Sequence, residues 1–188
     1  MPNARRYTAG MTTAADPRKL DMARSARDAD HLQGEWPLAS LPRLAEVHVG
    51  DVPVPSVRWS AQAELRPVLG GEGEIWLHLQ ASAEVAMPCQ RCLAPVRLPV
   101  SVDRWIRFVA GEAQAEALDA ESEDDVLALP RWLDLAELIE DELLLALPIV
   151  PRHDVCPAPL PIPEQPLEEE GDARPNPFAV LAQLKSRS

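Results

Sequence analysis

The sequence predicts an α+β fold: an antiparallel β-sheet with one main α-helix packed on it, a flexible N-terminal arm and a proline-rich C-terminal tail. Three observations carry that expectation. Two stretches flanking "LGGEG" alternate apolar and polar residues with a period of two. The stretch "DLAELIEDELLLAL" places its apolar residues at helical spacing. Residues 157–177 then hold seven prolines and an acidic "EEEGD", the composition of a stiff, solvated linker. The expected organisation is a mobile arm over 1–30, a single α+β domain over 31–156, a linker over 157–175 and a short helical motif over 176–188.

Taken in order, residues 1–30 show little periodicity and suggest an arm with at most a helical turn. "HLQGEWPLASLPRL" follows, interrupted by Gly34, Pro37 and Pro42, and reads as an extended segment anchored by Trp36 and Leu38. In "VRWSAQAELR" residues Val57, Trp59, Ala61, Ala63 and Leu65 share one face; in "EIWLHLQASAEVAM" so do Ile75, Leu77, Leu79, Ala81, Ala83, Val85 and Met87. The two runs form a hairpin. A two-residue Gly70-Gly71 loop would set odd positions opposite even ones and turn one apolar set to solvent. A three-residue Gly70-Gly71-Glu72 loop, with a glycine at positive φ, is therefore expected.

"VRLPVSVDRWIRFVAG" is a third strand, in which Val100, Val102, Ile106 and Phe108 share a side with Arg104. Residues 112–125 carry seven acids and no base and are expected to form a solvated loop. "VLAL" reads as a short returning strand. The main helix starts at a cap, Asp134, with Glu137 three residues on and Leu135, Leu138 and Ile139 opening its buried stripe; Pro148 ends it. In "NPFAVLAQLKSRS", Asn176 and Pro177 open a short helix whose stripe is Phe178, Leu181 and Leu184.

Composition narrows the function. The net charge of −12 opposes broad contact with a polyanion, because the long-range field repels phosphates. The run "LLLALPIV" is too short to cross a bilayer, and the N-terminus has no apolar core of a secretory signal. Three cysteines are an odd number for a disulfide framework. A cytoplasmic protein is expected, with no membrane and no small-molecule substrate, where paired thiols hold metal or do redox chemistry. No phosphate loop, catalytic triad or nucleotide fingerprint is present, so no enzyme is expected.

Three motifs in order, "CQRCLAPV", "LIEDELLLALPIVPRHDVC" and "PNPFAVLAQLK", resemble the YceD family of large ribosomal RNA subunit accumulation proteins. The resemblance runs from about Gly34 to the C-terminus. It implies a bacterial cytosolic ribosome-biogenesis factor needed for the synthesis, processing or stability of 23S ribosomal RNA. The partners it implies are ribosomal or ribosome-assembly proteins, the 23S precursor, or both.

Three constellations bear on mechanism. Cys89 and Cys92, spaced to share a tetrahedral ion, need two more ligands, and His153 and Cys156 in "RHDVC" would complete a closed Cys3His site for structural zinc. Plain thiols in a turn remain the competing account; relatives with a second cysteine pair in the corresponding region favour metal. Arg91, Arg97, Arg104 and Arg107, interleaved with Trp105, are the residues suited to phosphate contact and base stacking. In an acidic chain, arginines that merely solvate a sheet face weigh more. On the main helix, Glu137, Glu140, Asp141 and Glu142 suit a soluble face favoured by the helix dipole, or, with Phe178 and Leu181 of the terminal motif, contacts to a protein partner. The alternative from another class is a metal-dependent RNA-processing enzyme using those helix carboxylates.

Overall fold

A computed structural model describes residues 16–50 and 56–157 of the chain. The chain divides into the units Met1–Pro157 and Ala158–Ser188, and every described residue belongs to the first. The linker and the terminal motif, with Phe178 and Leu181, lie outside the described residues.

Helix α1 (Met22–Asp28) precedes strand β1 (His31–Pro37). A 3-10 turn at Leu38–Ser40 leads into α2 (Pro42–Val47). Three long strands follow: β2 (Ser56–Arg66), β3 (Glu74–Pro88) and β4 (Pro95–Val109). Helix α3 (Glu112–Asp119), strand β5 (Asp125–Ala128) and helix α4 (Leu135–Leu145) complete the order. The five strands form one sheet in sequence order.

The hairpin has the expected parity. Leu65 faces Ile75, Ala63 faces Leu77 and Ala61 faces Leu79, so both apolar sets lie on one side. Its loop is longer than expected: pairing stops at Arg66 and Glu74, leaving residues 67–73 unpaired. Gly70 and Gly73 both take positive φ there, and at Gly73 a side chain would also meet Leu65 and the Arg66 carbonyl. Leu77, Leu79, Val85, Val100 and Ile106 fill the core of that face. Fully burying such a side chain contributes roughly 1.5–3 kcal/mol. Helices α1, α2 and α4 supply Met22, Leu44, Leu135, Ile139 and Leu143 to the same cluster.

Four departures have physical causes. Residues assigned to the arm include Leu20, Met22 and Ala26, which are buried in the core beneath α1; seven residues were too few to show a helical period. The "HLQGEWP" stretch is a true edge strand against β2, where Gly34 lets the Trp59 indole lie over the backbone, a Cβ coming within 2.9 Å of that ring. Strand β5 runs parallel to β4, not antiparallel. A parallel neighbour needs a crossover of a dozen or more residues, and the acidic stretch provides it as α3 instead of a loop. Its Ala, Glu and Gln are strong helix formers, and Ala115 and Leu118, three apart, pack on Val109 and Val126 across the opposite sheet face. As expected, α4 ends ahead of Pro148, at Leu145, because a proline clashes with the carbonyl four residues back and biases the preceding residue away from helix.

Candidate metal centre

The turn between β3 and β4 brings Cys89 and Cys92 together. The Cys89 N–H donates to the Ala94 carbonyl and the Leu93 N–H donates to the Cys89 carbonyl, both at 2.9 Å. Leu93 closes the turn with φ at 61°, in the left-handed region. Beyond α4 the chain returns to this turn. The Gln90 N–H donates to the Pro151 carbonyl at 2.9 Å, and Arg91 donates through Nη2 to the carbonyls of His153 and Asp154 at 2.5 and 3.2 Å.

Those bonds converge four ligands. One donor atom from each of Cys89, Cys92, His153 and Cys156 lies within 4.8 Å of every other. The Cys89 and Cys156 sulfurs are 3.9 Å apart, and Cys92 Sγ is 3.5 Å from His153 Nδ1. A zinc tetrahedron with ordinary bond lengths has edges of about 3.8 Å between sulfurs and about 3.5 Å between sulfur and nitrogen. The donor set and two of its edges thus fit zinc. The outer contacts fit as well. His153 Nε2 lies 3.1 Å from the Pro95 carbonyl, so it carries the proton and leaves Nδ1 to face the sulfurs, the second contact a ligating histidine needs.

The thiols differ in environment. Burial pushes Cys89 up, but the backbone N–H groups of His153, Arg91 and Cys92 and the His153 ring outweigh it and bring the group to about 5. Burial, then hydrogen bonding with Cys92 and Cys89, raises Cys156. A buried thiolate favoured by surrounding N–H groups is the ligand form that a metal requires.

The arginine candidates are engaged within the chain. Arg91 holds the returning segment, as above. Arg97 pairs with Glu84, Arg104 with Asp125 and Glu142, and Arg107 with Glu74 at 2.7 Å. Trp105 already has stacking partners. The His78 ring lies parallel to it with centroids 4.4 Å apart, and the Arg66 guanidinium sits 4.2 Å from its centroid and 4.0 Å from that of Trp76. Beside this column Asp103 is held below the ordinary carboxylate range by hydrogen bonds from Gln80 and then His78.

The acidic helix face is also partly spent internally. Glu140, placed on the partner-facing surface by the sequence, is 4% exposed. It accepts from the Leu44 N–H and from Arg43 Nε, both at 3.0 Å, because α2 packs against α4 and its first turn has no side-chain cap of its own. Asp141 takes the other arm of Arg43. Glu142 faces Arg104. Glu137 stays exposed in the first turn of α4. Four carboxylates in one run do not converge on a common point. Arg43, the residue that engages two of them, lies 97 positions from Glu140 and carries no signal in the sequence that it would do so.

The profile of the family described as large ribosomal RNA subunit accumulation protein YceD matches residues 77–185. A protein of Haemophilus influenzae, named large ribosomal RNA subunit accumulation protein YceD, is 30% identical over 174 residues, which cover 91% of this chain and 97% of that protein. No solved structure matches.

Proposed function

This chain belongs to the YceD family, and on that premise we propose that it is a cytoplasmic, non-enzymatic factor for the accumulation of 23S ribosomal RNA. It acts by binding, and ribosomal or assembly proteins are its contact in preference to the RNA. Cys89, Cys92, His153 and Cys156 hold a structural zinc ion. The observation that carries this reading is the four-ligand cluster with its Pro95 contact: four protein ligands fill a tetrahedral ion and leave no position for water or substrate. Against the metal-dependent nuclease stands the fate of the helix carboxylates, since Glu140, Asp141 and Glu142 are each bound to an arginine. A catalytic magnesium is instead held by carboxylates left free to meet it together with substrate phosphates.

The test is complementation. In a strain lacking its own family member, the wild-type chain restores the level of 23S relative to 16S RNA, while Cys92→Ser does not. Purified protein leaves precursor ribosomal RNA intact in the presence of magnesium. Cleavage of that RNA, abolished by Asp141→Asn, would overturn the binding reading. Amide substitution of Glu140 would not serve, because that side chain holds α2 to α4.

A further inference from the structure

The stretch that follows α4 has its backbone fastened and its apolar side chains free. Its carbonyls at Pro151, His153 and Asp154 accept from the cysteine turn, and Cys156 reaches Cys89. Yet Ile149, Val150 and Val155 are exposed, Ile149 to 98% and Val155 to 85%. Exposed apolar side chains on a loose tail would mean little; on a segment pinned along half its length they form a standing surface. Leu93, on the turn that does the pinning, adds a second observation. It sits at positive φ, where glycine is at home and a leucine is strained by about 1 kcal/mol, and it is 68% exposed. Packing within the chain does not repay that strain. Exposed apolar groups on a fastened backbone mark interaction sites, and backbone strain gathers at ligand clamps.

We propose that this strip, Leu93 with Ile149, Val150 and Val155, docks a basic protein segment that carries apolar side chains, of the kind found on ribosomal proteins. This rests on the binding role above and names its surface. Charge selects the occupant. The chain has 30 acids against 18 lysines and arginines, a field that draws cationic partners and opposes phosphates. The arginines that would give RNA a foothold, Arg91, Arg97, Arg104 and Arg107, are engaged within the chain. Within the segment itself Arg152 and Asp154 are both exposed, so the field of the whole chain sets the preference. The cysteine cluster then has a mechanical purpose: it fixes the segment that presents the strip.

The experiment uses the full chain with Ile149 replaced by a photoreactive benzoylphenylalanine. It is mixed in separate arms with RNA-free protein extracted from salt-washed large ribosomal subunits and with protein-free 23S RNA. Crosslinks from position 149 into lysine- and arginine-rich peptides of the first arm are expected. Binding to the same extract is expected to weaken at least tenfold in an Ile149→Asp, Val150→Asp variant, with folding and metal content unchanged. Crosslinking to RNA, to a second copy or to residues 158–188 would overturn the proposal, as would undiminished binding by the variant or no binding at all. Full restoration of 23S RNA by the double variant would also remove the strip while leaving the accumulation role intact. Failure of the wild-type chain to restore it would remove the role itself.

Discussion

Leu93, Glu140 and Glu142 show how single side chains divide between fold and function. Replacing Leu93 with glycine relieves its positive φ and removes an exposed side chain, so Leu93→Gly is expected to raise stability by about 1 kcal/mol in urea unfolding, while weakening partner binding. Glu140→Ala leaves the Leu44 N–H and Arg43 without their acceptor, and a loss of about 2–4 kcal/mol is expected in the same measurement. Glu142 behaves oppositely. Burial raises its carboxyl, Arg104 offsets part of that, and Asp125 and Asp141 add to the rise. A carboxyl raised in the folded state stabilises fully below its unfolded value, and that contribution is lost as pH rises through the folded value. The stability of Glu142→Gln relative to wild type should therefore climb between pH 4 and pH 7. A flat difference across that range would contradict the burial of the charge. None of these roles was legible in the residues themselves. Each depends on a neighbour at long sequence separation, or on a φ angle that a leucine codon gives no reason to expect.

At the scale of elements, legibility followed periodicity. The β2–β3 pair announced itself through alternation, and parity alone settled which faces met, although not the loop length. Helix α4 was marked by its cap as well as its stripe. Asp134 accepts from the N–H groups of Ala136 and Glu137 at 2.8 and 3.3 Å, so Asp134→Ala should cost about 1 kcal/mol. Thermal unfolding would show it, and an unchanged midpoint would count against the cap. Charge misled where it dominated. The acidic stretch 112–125 reads as a loop because only Ala115 and Leu118 of α3 face inward, too few to raise a period above its seven carboxylates. Helix α1 was missed for a similar reason, since its burial comes from Met22 and Ala26 meeting a sheet assembled later in the chain. The cysteine pair was legible as spacing, and His153 and Cys156 as the remaining N and S donors close to one another. The hydrogen bonds from Gln90, Arg91 and His153 that bring the two halves together were not.

The whole molecule distributes its charge in a way that composition alone conceals. An excess of acids coexists with the sheet arginines Arg66, Arg97, Arg104 and Arg107, each committed to an ion pair. A count of basic residues around Trp105 suggested an RNA platform, whereas the paired partners lie on adjacent strands and on α4. What stays free is an apolar edge beside the cysteine cluster, held in place by it. The structural role proposed for the cysteine turn depends on that cluster holding metal. Native mass spectrometry of the full chain, purified without chelator, tests this most directly. One zinc per chain is expected, lost in Cys89→Ser together with a lower unfolding midpoint; a metal-free, fully folded wild-type chain with three freely titratable thiols would contradict it.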